Sequence, residues 1–499
     1  MKKNIIILFS TILIVSCTKQ WLNVNTDPNS PANVTINLVL PAAELSVASV
    51  INTDYNIAGG IWVQYWTQST GSSQYANYDN YNITSSTLDF DFQQLYTYGL
   101  NDLEWIKKTA LQQQDSRDYL IATAVQCYGF QMLADLYDQI PFSQAFKGAQ
   151  NIHPHYESGK NIYDSLIVRL NYAVSMLNNA MKNPATATLY SIAEPADLIF
   201  SGNVQSWLQF VNTLKLKIYL REIYANPLLD SINNLLNQPV GFLTSDAAIT
   251  FFTNNPSRDN PLYELDIRNS SYTGNIKASN TIISWLKPSV SPPLSTDTRV
   301  SYLFNTNTNG QIEGMPQGSY TDPTWLINPS NISGPNIQAT DPAYLFCQAE
   351  AYFLKAEAEL RLGVGSQATD YDNGIAASFS RLGISTSIAS NFYKTGGRYA
   401  FPTTGFSDDL KAIIVQKWAA LANINGMEAY LEFLRTTYPS RNNSVYGYPD
   451  LVNPANSVLP PGQYPKRLLF PLSEIQTNPN TPSVVSNPIT KPVWWNVNN

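Results

Sequence analysis

The chain is short of charge, of histidine and of cysteine, and each shortage closes a route. Charged residues make up only 13% of its 499 positions, about half the quarter usual in soluble proteins. With 30 Lys plus Arg against 37 Asp plus Glu the net charge is −7, which offers no cationic footprint to a phosphate backbone, so nucleic acid is not an expected partner. The two histidines, His153 and His155, bracket Pro154, and no Cys or carboxylate cluster at ligand spacing accompanies them, so neither a metal nor a cofactor is expected. So little histidine, with no Gly-x-Ser-x-Gly turn, leaves a Ser-His-Asp triad without parts. Gly363-Val364-Gly365 follows a helical pattern rather than a strand, and no Gly-x-x-x-x-Gly-Lys-Ser/Thr occurs, so nucleotide chemistry has no support. Ser284-Trp285-Leu286-Lys287 with Lys394-Thr395-Gly396 imitates the order of penicillin-recognising enzymes, but no Ser-x-Asn lies between them and Pro288 follows the lysine. Strong period-two alternation is also missing, which argues against a β-rich fold.

What is present is apolar and aromatic material: 44% hydrophobic and 12% aromatic residues, enough for a large core and incompatible with a disordered or collagen-like chain. Lys2 and Lys3 precede an apolar run from Ile5 to Val15, the n-region and h-region of a secretory signal. The run is too short for a permanent span. It ends Ile14-Val15-Ser16-Cys17, which resembles a bacterial lipobox, so residues 1–16 read as a lipoprotein signal peptide and Cys17 as the lipidated first residue of the mature chain. Several acyl chains on one Cys anchor firmly. Cys127 and Cys347 lie in apolar, helix-patterned stretches; two buried inert thiols are favoured over a disulfide.

Residues 17–40 read as a tether, since Asp27-Pro28-Asn29-Ser30-Pro31 forbids a helix. From residue 41 to 499 a single, mainly α domain is expected. Helical spacing recurs over Leu38–Trp66, Leu95–Leu111, Asp118–Tyr137, Tyr163–Met181, Val204–Tyr224, Tyr344–Leu362, Asn373–Leu382 and Asp408–Thr436, with Gly363 and Gly383 placed as C-caps. The helix pairs have tetratricopeptide-like lengths without a strict repeat consensus. Between about 226 and 340 the pattern dissolves into a long irregular, loop-rich insertion, a length of loop that is usually functional.

The carboxylate pairs Asp89 with Asp91 and Glu264 with Asp266 are the candidates for glycoside hydrolysis, and solvated loop acids are the simpler reading. The segment Trp62–Tyr98 stands out more, because its many rings are interleaved with Gln, Asn, Ser and Thr. Ring faces beside amides and hydroxyls suit a neutral polyhydroxylated ligand or a peptide. Trp66, Tyr75, Tyr78 and Tyr81, with Trp325 from the insertion, are the candidate ligand-binding residues.

Six segments in order then resemble the SusD/RagB family of Bacteroidetes outer-membrane nutrient-binding lipoproteins. They are Asp27-Pro28-Asn29-Ser30-Pro31 after the lipobox; Ala134-Asp135-Leu136-Tyr137-Asp138-Gln139-Ile140-Pro141-Phe142-Ser143; the helix holding Trp207, Phe210, Asn212, Leu214 and Leu216; Ala349-Glu350-Ala351-Tyr352 through Ala358; Gln416-Lys417-Trp418 with Glu428-Ala429; and Pro465-Lys466-Arg467 through Glu474. Tyr137-Asp138 stands where the family has Tyr-Gly, and Thr18-Lys19-Gln20 lacks the acidic export signal. The resemblance implies a lid on a SusC-like TonB-dependent transporter, anchored by lipid at the outer-membrane surface, that binds oligosaccharide or another polymer fragment without turnover. A peptide-binding lid, a structural helical adaptor and, least favoured, a lipid-anchored hydrolase are the alternatives.

Overall fold

The computed structural model describes residues 34–498 apart from 271–273, 292, 327, 328 and 442–448. The signal peptide, Cys17 and the tether as far as residue 33 lie outside the described residues.

The periodic segments form helices, with ends moved by local chemistry. Helix α1 (Ile36–Asn52) starts ahead of the expected boundary at 41, because Ile36 and Leu40 are buried and Pro41 is accommodated inside the helix at the loss of one backbone bond. A break at Thr53 separates it from α2 (Asp54–Trp62). Together the two are long and apolar enough to cross a membrane, but half of that stretch is buried inside the fold, as in a core helix. Next come α3 (Asn101–Gln113) and α4 (Ser116–Tyr137), the latter opened by Asp115, whose carboxylate accepts from the N–H groups of Arg117 and Asp118 at 2.9 and 3.0 Å. Helices α5 (Gly159–Ala180) and α6 (Val204–Arg221) are capped by Ser158 and Asn203. Helices α7 (Gln348–Leu362) and α8 (Gln367–Arg381) end, as expected, near Gly363 and Gly383, both at positive φ. The stretch expected as one helix over 408–436 is two, α9 (Phe406–Ala420) and α10 (Gly426–Thr436), because the Asn425 side chain accepts from the Glu428 N–H at 3.0 Å and starts a new helix. The fold is mainly α, and neighbours in sequence pack together: α3 on α4, α4 on α5, and α7 on α8.

The insertion is more ordered than its composition implies. It holds the helices Leu229–Leu236 and Asn280–Leu286, and two of its short strands pair with the scaffold. Strand β1 (Trp66–Gln68) runs antiparallel to β3 (Ile276–Ala278), with Trp66 opposite Ala278. Strand β2 (Ala247–Ile249) pairs with β4 (Ala343–Phe346), where helical spacing had been read from Tyr344 onward. Strands of three or four residues are too short for alternation to show.

Two contacts hold the helical half together. Where α2 crosses α10 the backbones touch: a Cβ on Gly59 would lie 2.2 Å from the Met427 backbone, and one on Gly426 would lie 2.3 Å from the Gly60 nitrogen. Beside that crossing runs a buried ion network. Arg221 of α6 meets Asp135 of α4 at 3.2 Å, Glu428 at 2.7 Å and Glu432 at 2.5 Å. Lys217 sits 2.8 Å from Glu428, and Lys417 of α9 lies 3.2 and 3.4 Å from Glu428 and Glu432. Arg435 grips Glu357 of α7 with both guanidinium arms at 2.6 Å, and Arg361 closes on the same carboxylate at 2.8 Å. The cations hold Glu428 down at about 2 against the desolvation that opposes it. Cys127 and Cys347 are buried and unbonded, and burial raises their thiols to about 11 and about 12.

Not every acid there is held down: burial lifts Asp135 to about 6, and Glu350 further still. It stands 3.6 Å from Lys217 and 3.9 Å from Lys417, and burial pushes its carboxyl from 4.5 up to about 7. A carboxyl raised on folding contributes stability that is fully present below 4.5 and is lost as pH rises through about 7. Glu350→Gln, which cannot ionise, is therefore expected to match the parent protein near the lower value and to exceed it above the upper one. Denaturant unfolding measured across that range checks this; a difference independent of pH contradicts it.

Candidate functional site

An open groove of about 830 Å³ is formed where the insertion meets β1. One wall is the loop Ser69–Ser72 that leaves β1, and the floor is β3 with Asn275. The opposite side comes from residues 305–308 and 330–338, and a π-helical turn, Tyr263–Arg268, delivers Tyr263 and Asp266. The strand pairing puts the first wall on the floor, since the Ser69 N–H donates to the Asn275 carbonyl at 2.8 Å beyond the last ladder pair.

Asp79 locks β1 from beneath. Wholly buried, it accepts from the Thr67 hydroxyl at 2.8 Å and the Gln68 N–H at 3.1 Å, and its other oxygen takes the Gln317 amide at 2.6 Å. Gln317 also donates to the Trp66 carbonyl at 3.1 Å. Desolvation lifts Asp79 to about 6 despite these donors. Asp266 does similar work at the far end of β3, accepting from the Asn275 N–H at 2.8 Å. Gly274, at φ +65°, is required there, because a Cβ would meet the Asp266 carboxylate at 2.8 Å.

The groove surface is about equally polar and apolar, with hydroxyls and amides beside Ile267, Ile276, Ile332, Pro335 and Ile337, and two charged residues, Asp266 and Lys277. Asn307 is occupied with local backbone, donating to Asn331 at 2.7 Å and accepting from Gln311 at 2.9 Å. Asn275 donates to Gln74 at 2.7 Å, and the Thr70 hydroxyl is buried in the wall without a partner. Tyr263 is the one ring among the described lining residues, half-buried, with the Arg268 guanidinium 5.4 Å from its centre. Burial lowers the Lys277 ammonium, with Asp266 opposing.

The rings expected to touch ligand fall elsewhere. Trp66 is 0% exposed, and Tyr75 and Tyr81 are 2% exposed, so these three are core residues. The reason is the strand pairing: β1 turns Trp66 under the groove, where its indole N–H donates to Asn423 at 3.2 Å and its ring fills the space that Gly60 leaves. Tyr75 stacks on Tyr78 at 6.1 Å, and Tyr81 takes the Arg441 guanidinium at 3.4 Å. Tyr78 is half-buried with its hydroxyl 3.3 Å from Asp54, and Trp325 is half-buried on the short turn Pro323–Leu326. None of the five lines the groove. Of the expected acid pairs, Asp266 lines the groove and Glu264 a different cavity, while Asp89 accepts from the Ser473 N–H at 3.1 Å at the start of the helix Leu472–Thr477 and Asp91 is buried, its carboxyl raised by burial and by the charge of Asp54. The polar run Gln68-Ser69-Thr70-Gly71-Ser72-Ser73-Gln74 lies within the segment Trp62–Tyr98 that stands out in the sequence; Asn275 carries no local signal, because its partners Ser69 and Gln74 lie some two hundred residues away.

If Trp66 is an anchor of the core, Trp66→Ala is expected to cost about 3–5 kcal/mol of unfolding free energy, the range for large core truncations. Chemical denaturation reads this directly; a change below about 1 kcal/mol contradicts the assignment.

Comparison with known proteins places this geometry. Solved structures of the same fold include a SusD homologue from Bacteroides uniformis (21% identity, 92% of this chain and 99% of that one, TM-score 0.73). A chitin-binding SusD homologue from Flavobacterium johnsoniae aligns at 21% identity over 93% of this chain and 99% of its own, with a TM-score of 0.74. A SusD-like protein from Bacteroides thetaiotaomicron aligns at 21% identity over 92% of this chain and 99% of that one, TM-score 0.70. Among curated proteins nothing matches. Residues 28–471 match the SusD-like family described as starch-binding associating with outer membrane, and over that span the chain belongs to it.

Proposed function

We propose that the chain is a non-catalytic, lipid-anchored protein of the outer-membrane surface that captures oligosaccharide in the groove and delivers it to a partner TonB-dependent transporter. The groove carries the reading: about 830 Å³, open to solvent, walled by hydroxyls and amides, with a single ring. Such a wall satisfies sugar hydroxyls while the Tyr263 face covers C–H groups. Asp266 is the one acid among its described lining residues and is already bound to backbone N–H groups, so no carboxylate pair stands across it to run glycoside hydrolysis. The family's description as starch-binding and the chitin-binding relative support a glycan over a peptide. Tyr78 and Trp325, both part-exposed, are proposed as outer contacts for a longer ligand. The anchor is assigned to Cys17 from its sequence context.

Two experiments test this. Calorimetry on the full-length chain in detergent, against neutral glycans, acidic glycans and peptide digests, is expected to show a glycan bound and recovered intact. Tyr263→Ala should weaken it by more than about 1 kcal/mol. Peptide binding alone favours the peptide lid, consumption of the glycan the hydrolase, and no binding at all the adaptor. In cells, Cys17→Ser is expected to abolish palmitate labelling and to move the protein out of the membrane fraction, since the acyl chains supply about 0.8 kcal/mol per buried methylene; retention in that fraction overturns the anchor.

A further inference from the structure

Helix α1 is apolar on its outward side as well as on its buried one. Of its 17 residues only Glu44 carries charge, and Glu44 is wholly buried. The positions it turns outward are Asn37, Leu38, Ala42 and Leu45. The last three fall on one face at i, i+4 and i+7, and Leu38 and Leu45 are 59% and 38% exposed. Surface helices ordinarily turn charged residues outward, and a helix that is apolar all round is one that is covered all round. Among the described residues this side of α1 has no cover.

The open side leads to a cavity of about 580 Å³, lined by Leu45, Leu198 and Leu265 together with Phe251 and Phe252, which follow β2. Phe251 is 65% exposed. Contiguous apolar side chains left in the open mark a contact surface. The two acids in the lining are answered within the fold, since Arg268 meets Asp259 at 2.5 Å and Glu264 at 3.1 Å. Arg258, also in the lining, is exposed and has no acid within ion-pair distance among the described residues. This corner of the molecule therefore presents apolar side chains with one guanidinium at their edge.

We propose that the outward side of α1 and the Phe251–Phe252 corner form a lipid-contacting face, with Leu38, Leu45 and Phe251 at the boundary between headgroups and acyl chains and the Arg258 guanidinium among lipid phosphates. The proposal rests on the anchor at Cys17. Only 16 residues separate that cysteine from Val34, and a chain of that length reaches at most about 60 Å, so the end of the fold that α1 begins is held beside the bilayer. A tether of this kind raises the local concentration of lipid at the face, and a weak intrinsic affinity then suffices. Lipid is favoured over a protein partner because the outward residues of α1 offer no charge by which such a partner is selected.

The test uses the chain purified from membranes and reconstituted in vesicles of phosphatidylcholine with phosphatidylglycerol as the anionic component. Cys127 and Cys347 are buried, so a nitroxide label can be placed on single introduced cysteines: Leu38→Cys and Phe251→Cys on the face, with Val168→Cys on α5 and Val485→Cys near the C-terminus as controls. All four positions are exposed, and the thermal midpoints of the variants are expected to match that of the parent. Electron spin resonance is expected to show the first two labels at least about threefold less accessible to a nickel chelate than the controls and more accessible to oxygen, the signature of a site below the headgroups. Equal nickel accessibility at the four positions overturns the proposal. So does protection that appears only as the protein-to-lipid ratio is raised, which assigns the face to a second copy. Intact mass and vesicle flotation report the anchor separately. An acylated chain that floats with both face labels in water sinks the lipid face alone, and a chain without acyl groups at Cys17 that floats with both labels protected sinks the anchor alone. A chain that is neither acylated nor floating overturns both.

Discussion

The structure depends on charge taken out of water and paid back in place. Asp135, Lys217, Arg221, Glu350, Glu357, Arg361, Lys417, Glu428, Glu432 and Arg435 form one buried network that links α4, α6, α7, α9 and α10. Five are acids and five are bases. Removing a closely paired member such as Arg221 leaves its partners uncompensated in a low-dielectric interior, which typically costs about 3–5 kcal/mol. In a chain with only 13% charged residues, this concentration of charge in the core leaves a surface of amides and hydroxyls. That surface suits a neutral or weakly charged ligand.

The ion network and the groove are coupled through short backbone pairings laid on one shared hydrophobic core, in which Trp66, Ile276 and Ala278 join Trp418 and Met427. The α2–α10 crossing, possible only because Gly59 and Gly426 lack side chains, fixes the base from which β1 emerges, and Gly60 leaves room there for the Trp66 ring. Asp79 and Gln317 then tie β1 to the insertion, and β3 returns beneath it. A loop-rich region can thus hold a defined concave surface while leaving its rims free of regular structure, which is the arrangement binding loops on rigid scaffolds usually take.

Legibility differed sharply between scaffold and site. The helices over 118–137 and 204–221 are legible from the length and apolar content of their patterns, although the first is buried on every side and the second on most, and the glycines past α7 and α8 mark their ends. Tyr344 was misread as helical because β4 is four residues long and runs straight into the apolar pattern of α7. For the site, aromatic density pointed to Trp66, Tyr75 and Tyr81, yet large rings lower free energy most when buried, and those three are buried. The groove is instead lined by hydroxyls and amides mixed with Ile267, Ile276, Ile332 and Ile337, a composition that any surface loop can have.

Residue order alone determined the helical class and the family-like segments, because each is a local property of spacing or composition. Tertiary structure decided which polar residues share a wall. Ser69 and Asn275 come together only through pairings across hundreds of residues, and the free energy of those pairings resides in the core and the ion network, not in the residues that meet.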